Sequence, residues 1–368
     1  MHIGVPRERH VDEHRVGLTP AGVELLAAAG HVCSVESDAG RGAGFSNVDY
    51  ERAGGRIVYT PEEAHGRADL VFRVGPVTEE EAGWLRPGAI VAGFLHLAAR
   101  RRAVVEMLLQ QQITAIAYET IQQDGTLPVL TPLSQVAGRM VPQVAATLLQ
   151  NDHGGKGILL GGVPGVPPAE VVIIGAGTLG AEAARAFLGI GATVYLLDRD
   201  LARLQQIDHM CSGGRRPVMM VAHPFNVRKT VRFADVLVGA ILVPGARTPV
   251  VVTRAMVKSM KPRSVILDVA IDQGGCVETS RPTTHRDPTF VEEGMIPYCV
   301  PNMTAVVART ATHAFNNAMW PLMSEVARSG LDEAFARAPA LKRGVATHRG
   351  HVINAALAAH LGVQEVSL

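Results

Sequence analysis

The chain has 368 residues, of which 47% are hydrophobic and 19% charged, with a formal net charge of +1. That length is too great for one compact core and calls for two domains, while the near-neutral charge gives no basis for a nucleic-acid or anionic-membrane partner. No apolar run reaches the roughly 20 residues of a membrane span. The four cysteines, Cys33, Cys211, Cys276 and Cys299, are too scattered for a zinc site or a disulfide framework and read as buried free thiols. No metal is therefore expected.

Met1-His-Ile-Gly-Val-Pro starts a strand at once, without a basic region and apolar signal segment, so a cytoplasmic location is expected. Thr19-Pro20 is an N-cap and first-turn proline for a helix over Ala21 to Ala29. Further strands are expected at His31 to Glu36, Leu70 to Val74, Ala89 to Leu95 and Thr114 to Tyr118, with helices between them, for example Pro61 to His65 and Arg101 to Gln110. This order implies an α/β domain with a largely parallel sheet. Gln122 to Pro128 is turn chemistry and reads as a hinge before a helix from Ser134 to Leu149.

A glycine-rich loop around Gly154 and Gly161 then delivers the chain to Val171-Val-Ile-Ile-Gly-Ala-Gly-Thr-Leu-Gly180. Here an apolar strand enters a turn in which Gly175 allows the reversal, Gly177 lets a pyrophosphate approach the backbone, and Gly180 lets the next helix pack close. Thr178 and Leu179 open that helix, whose N-terminus offers unpaired N–H groups to phosphates. The second strand, Val194-Tyr-Leu-Leu-Asp198, ends on a carboxylate placed to accept both ribose hydroxyls and to repel a 2′-phosphate, which favours NAD over NADP. A glycine turn serving packing alone is the plainer alternative. Strand, turn, helix, second strand and terminal aspartate in that order argue against it. Downstream, strands are expected at Ala234 to Ile241, Ser264 to Ala270 and Pro297 to Val300, with a helix at Arg254 to Met260 and a helical end over Ala311 to Ala327 and Val352 to Leu361.

Several long motifs together carry a resemblance. They are Gly4-Val-Pro-x-Glu8, Glu13-x-Arg15-Val-x-x-Thr-Pro20, Phe94-Leu-His96-Leu-Ala, Ala117-Tyr-Glu119-Thr, Ser134-x-Val-Ala-Gly-Arg139, Gly161-Gly-Val-Pro-Gly-Val, Gly239-Ala-x-Leu-Val-Pro-Gly-Ala246 and Asp268-x-Ala-Ile-Asp272-Gln-Gly-Gly-Cys276. Over nearly its whole length the chain resembles alanine dehydrogenase, and less closely the NAD-binding subunit of nicotinamide nucleotide transhydrogenase. The resemblance implies two Rossmann-like α/β domains with parallel sheets. The substrate domain is discontinuous (1–130 plus 306–368), and the NAD domain is inserted mid-chain (131–305). It also implies a site in the cleft between domains and a homohexamer.

By the same resemblance, Arg15 binds the carboxylate of a small-molecule substrate, a task suited to its planar fork. His96 exchanges a proton at the reacting carbon, and Asp272 lies near the nicotinamide, the reacting water or ammonia, and the imidazole. Taken alone, Arg15 would read as a surface ion-pair partner of Glu13, His96 as a packing or capping residue, and Asp272 as a cap before Gly274-Gly275. Ser134, Asp198, Leu242, Val300 and Asn302 match cofactor-holding positions, with Met303 beside the nicotinamide end.

One feature departs from the family. Where it carries a lysine that contacts the substrate's oxo group and carboxylate, this chain has Gly75, and no lysine precedes Lys156. Arg73, two residues earlier on the same strand face, is the nearby cation that could reach toward the site, although a guanidinium does not reproduce a compact ammonium. Loss of one preorganised donor to a developing oxyanion costs about 3 to 4 kcal/mol, roughly a hundred- to thousandfold in turnover. Two readings remain: a dehydrogenase with an altered substrate or reduced alanine activity, and an NAD-binding paralogue with non-redox chemistry or a regulatory role.

Overall fold

A computed structural model describes residues 1–211, 214–243 and 247–368. The chain divides into two compact units, Met1–Leu133 with Ala305–Leu368, and Ser134–Thr304.

The first unit opens with six parallel strands: β1 (His2–Val5), β2 (Val32–Glu36), β3 (Arg56–Val58), β4 (Leu70–Phe72), β5 (Ile90–Gly93) and β6 (Thr114–Ala117). β1, β4, β5 and β6 are almost wholly buried, which suits a sheet covered on both faces by crossover helices. The intervening helices start where the sequence supplies caps. Thr19 accepts the Gly22 N–H ahead of Pro20, and Ser46 and Thr78 each form a capping box with the acid three residues on. β3 is short and half exposed at the sheet edge, so it carries almost none of the apolar signal that marks the central strands.

The second unit contains β7 (Glu170–Ile174), β8 (Thr193–Asp198), β9 (Val218–Val221), β10 (Val236–Gly239), β11 (Val265–Asp268) and β12 (Ile296–Tyr298), all parallel, in spatial order β12-β11-β10-β7-β8-β9. The helix Thr131–Leu148 comes close to the helix Thr178–Ile190 at Gly138, where a Cβ would lie 2.7 Å from the Leu179 carbonyl oxygen.

The chain then returns to the first unit through the helix Ala308–Ser329. Ala308, Ala311, Phe315, Met319, Met323 and Val326 recur on one face of it at helical spacing and join the core beside Ile3, Leu70 and Phe72. The end of the chain departs from the all-helical expectation. β13 (Val345–His348) and β14 (His351–Val352) form a hairpin, and β13 adds antiparallel to β6. Arg349 and Gly350 both take positive φ, 47° and 82°, which closes the two-residue turn. Val352 is thereby a strand residue, and the helix starts only at Ala355, capped by Asn354. The first sheet thus reads β14-β13-β6-β5-β4-β1-β2-β3.

Candidate functional site

Both sheets run outward in two directions from their first strand. Sheets of this kind leave a crevice beyond the carboxyl ends of the strands where the order reverses. In the first unit that point lies between β1 and β4, and in the second between β7 and β10.

At the first switch point the loop after β1 is stitched to the end of β4 by Glu8. Its Oε1 accepts the Val74 N–H at 2.6 Å, and its Oε2 accepts from Gly75 N–H at 3.3 Å and from Arg73 Nη2 at 3.1 Å. The expectation for Arg73 as a substrate-side cation is corrected here. Its side chain is 0% exposed, with Nη2 on Glu8 and Nη1 2.8 Å from Glu81 of the helix Glu79–Trp84. Burial lowers the guanidinium pKa, but the two carboxylates outweigh that and hold it above its ordinary value. Fully enclosed and with both Nη atoms on carboxylates, this guanidinium is committed to the protein's own ion pairs. The sequence placed Arg73 by strand alternation alone, and the alternation did not reveal that Glu8 and Glu81 close over it.

Arg15 is oriented by Glu13. The Oε1 of Glu13 accepts from the Arg15 backbone N–H at 3.0 Å and from Nε–H at 2.7 Å, and its Oε2 accepts from Nη2–H at 2.6 Å. Both side chains are buried, so this is no surface ion pair. Burial pushes the Glu13 carboxyl up, and Arg15 more than reverses this to leave it below the usual range. The segment beyond is fixed by the helix Ala308–Ser329, where Thr312 Oγ1 accepts the Val16 N–H at 3.3 Å and Asn316 Oδ1 accepts the Thr19 N–H at 3.1 Å. Gly17 lies so close to β4 that a Cβ would sit 2.3 Å from the Phe72 carbonyl oxygen. These contacts bring Arg15, Arg73 and Gly75 into one neighbourhood.

His96 follows β5, next to β4 in the sheet, and sits in the left-handed region with φ 45° and ψ 42°. A non-glycine residue keeps that conformation only where its surroundings impose it. Here the backbone N–H donates to Glu119 Oε1 at 2.6 Å, and the ring Nδ1 stands 3.8 Å from the same oxygen. Glu119, buried after β6, is the carboxylate that faces the imidazole within this unit. Glu8 and Glu119 were not singled out in the sequence, and Glu13 was read there only as a surface partner of Arg15, although each sits inside one of the motifs. Carboxylates just past the carboxyl ends of β1 and β6 were the available signal.

The second switch point is built mainly from backbone. Gly175 has φ 111°, and a Cβ there would meet the Ala240 carbonyl oxygen at 2.4 Å. A Cβ on Gly180 would lie 1.8 Å from the Gly175 oxygen, so only glycine lets this helix start so near the strand. A Cβ on Gly177 would meet nothing within 4 Å, and no side chain caps the helix that begins at Thr178. That is open room in front of a 13-residue helix with its first N–H groups unclaimed by a cap, with Leu179 in the first turn. Asp198 ends β8 with Oδ2 accepting the Ala176 N–H at 2.6 Å and Oδ1 accepting the Asp200 N–H at 2.9 Å. Each oxygen keeps a second lone pair for a hydroxyl donor. This arrangement fits a dinucleotide.

The remaining expected positions are spread along the same end of the second sheet. Leu242 is exposed after β10, and the run's last three residues, Pro244 to Ala246, lie outside the described residues. Asp272 lies in a 3₁₀ turn after β11, closed by Gly274 at φ 95°, and accepts the Asn302 N–H at 3.0 Å, which joins the loops after β11 and β12. Val300 and Met303 are buried beside that loop, and Ser134 is half-buried in the first turn of the helix Thr131–Leu148. Asp268, absent from the expected set, is buried at the end of β11. It accepts the Cys276 and Val277 N–H groups at 3.0 and 3.1 Å, and burial raises its pKa. Among the described residues no cluster of His, Cys, Asp and Glu could hold a metal ion, and no helix is long and apolar enough to cross a membrane.

Two domain descriptions cover almost the whole chain: Alanine dehydrogenase/PNT, N-terminal domain, over residues 4–137 and Alanine dehydrogenase/PNT, C-terminal domain, over residues 141–355. The chain belongs to the alanine dehydrogenase/PNT family. It is 44% identical over 364 residues to the alanine dehydrogenase of Mycobacterium tuberculosis (strain CDC 1551 / Oshkosh), covering 99% of this chain and 97% of that one. It is also 44% identical over 360 residues to alanine dehydrogenase 2 of Staphylococcus aureus (strain USA300), covering 97% and 96%. A solved L-alanine dehydrogenase superposes with a TM-score of 0.92 at 40% identity, covering 98% of this chain and 99% of that chain. A transhydrogenase from Sinorhizobium meliloti, 22% identical with a TM-score of 0.79 over 97% of this chain and all of that one, shares the fold. With these relatives the chain is an oxidoreductase of the alanine dehydrogenase type.

Proposed function

We propose that this family member is an NAD-dependent amino acid dehydrogenase acting on a small amino acid or its 2-oxo or imino counterpart, with a substrate other than alanine or with reduced alanine activity. The observation that carries the reading is the first switch point, where Arg15 is held rigid by Glu13 while position 75 offers no side chain. When bound, NAD supplies the hydride acceptor and its reduced form the donor.

Arg15 anchors the substrate carboxylate, its guanidinium plane already set by Glu13. His96 holds or gives the proton at the substrate's nitrogen or oxygen, with Glu119 Oε1 3.8 Å from its ring Nδ1. Asp272 orients the reacting water or ammonia. The turn Gly175–Gly180 takes the pyrophosphate, and Asp198 takes the ribose hydroxyls and disfavours a 2′-phosphate. Ser134, Leu242, Val300 and Asn302 line the cofactor, and the working assembly is a homohexamer in the cytoplasm.

Gly75 also favours a second reading, an NAD-binding paralogue without redox turnover, since the expected oxyanion donor is missing from that position. A steady-state screen of NADH oxidation with ammonia or primary amines and a panel of pyruvate and larger 2-oxo acids separates the two. Turnover with at least one acid supports the first. No turnover across the panel, together with tight NAD binding by calorimetry, establishes the second.

A further inference from the structure

At the first switch point two polar side chains stand within 4 Å of where a residue-75 side chain would begin: Glu8, whose Oε2 would lie 3.4 Å from the new Cβ, and His10. A Cβ built on Gly75 would lie 3.3 Å from His10 Cδ2 and 4.0 Å from Nε2, so this edge of the ring packs over the glycine. Two of the carboxylates near His10 in sequence are already committed, Glu8 to the end of β4 and Glu13 to Arg15. His10 itself is half-buried, and its Nε2 lies 3.3 Å from the Pro76 carbonyl oxygen. A carbonyl can only accept, so Nε2 carries the proton. At 3.3 Å the bond is long for N–H···O and is readily exchanged for a better acceptor.

We propose that His10 is a substrate-contacting residue, its Nε2–H donating to an oxo or carboxylate oxygen of a substrate that enters over Gly75. This rests on the dehydrogenase reading above and deepens it. The glycine gives the imidazole its place, because any side chain at position 75 would press on the ring. Residues 10 and 75 therefore act as one specificity element.

The test compares wild type, His10→Ala and His10→Gln with the best 2-oxo acid of the screen, and measures NADH affinity by fluorescence for each. His10→Ala is expected to lower kcat/KM tenfold or more with NADH affinity unchanged. His10→Gln is expected to recover part of the loss, because its amide N–H can replace Nε2–H. In addition, Gly75→Lys with His10→Ala should outperform Gly75→Lys alone, since the ring no longer crowds the new side chain. A kcat/KM for His10→Ala within twofold of wild type overturns this inference and leaves the dehydrogenase reading intact. Equal losses in both variants, with lowered thermal stability, assign His10 a purely structural role and also overturn it. If wild type turns over no acid and its NADH complex binds no pyruvate in calorimetry, the dehydrogenase reading itself falls.

Discussion

The six parallel strands of each unit follow the same order around a central reversal, yet the two units furnish that reversal with different materials. In the second unit the crevice is made of backbone: three glycines, a helix N-terminus, and one aspartate that itself binds backbone N–H groups. In the first unit it is made of charged side chains in two buried groups, Arg15 with Glu13, and Arg73 with Glu8 and Glu81. Backbone presents a fixed array suited to an invariant pyrophosphate. Side chains can be exchanged one at a time, so the side-chain crevice is where a family on this fold can change its chemistry. Gly75 falls on that side of the division.

The comparison can be broken by substitutions that should hit one unit and spare the other. The largest effect is expected from Arg15→Lys, which loses the planar fork. kcat/KM for the preferred 2-oxo acid should fall roughly hundredfold or more, while NADH affinity, read by fluorescence titration, stays the same. A parallel loss of NADH affinity would mean that the two crevices are not separable. Arg73→Met strands two buried carboxylates and should cost about 3 to 5 kcal/mol in urea unfolding. A stable Arg73→Met protein with a raised substrate KM would restore Arg73 to the substrate side.

Smaller shifts sharpen the division. Asp198→Ala should weaken NAD by about tenfold and make NADP relatively more acceptable; equal affinity of the unaltered protein for both would show that the carboxylate is misassigned. Gly75→Lys should raise alanine-dependent NADH formation by roughly tenfold, and an unchanged rate would mean that the crevice differs at more than that residue. The smallest effect concerns His65, fully buried beside Trp84, whose Nδ1 donates to the Pro61 carbonyl at 2.7 Å. Burial, with Arg73 nearby, lowers its pKa from 6.5 to about 4. Between those values the unfolded chain binds the extra proton, so the stability His65 contributes is complete above pH 6.5 and is lost as pH falls toward 4. Glu13 and Glu81, whose pKa values are held low, lose their contributions only below the ordinary carboxylate value. In His65→Phe the urea midpoint should therefore change less between pH 6.5 and 4.5 than in wild type. An identical slope would remove His65 from the account.

How much of this was legible in the sequence depends on the kind of interaction. The glycine turn at Gly175 and the aspartate at the end of the next strand are local, and the reading of them needed no tertiary information. The central strands were legible for the same reason, since buried parallel strands are continuous apolar runs. The edge strands β3 and β9 and the β13–β14 hairpin were not, because short half-exposed strands carry little periodic signal. Arg73 was misjudged because its partners, Glu8 and Glu81, lie on other elements, and a strand's alternation does not say what stands opposite it. Glu119 escaped notice for a related reason. Its meaning comes from the His96 backbone, 23 residues away in the chain. Nothing in the sequence marked His10, whose ring the fold sets over Gly75.

The central claim, that a side-chain crevice of altered composition still supports hydride transfer with a cofactor held by a backbone crevice, is tested most directly by following the hydride. NADH deuterated at the transferring position of the nicotinamide ring is incubated with the protein, ammonia and each 2-oxo acid in turn, and the amino acid product is examined by mass spectrometry. The account predicts at least one product carrying a single deuterium on its α-carbon, formed by wild type and strongly reduced in Arg15→Lys. Absence of labelled amino acid with every acid tested, from a protein that binds NADH tightly, would contradict it.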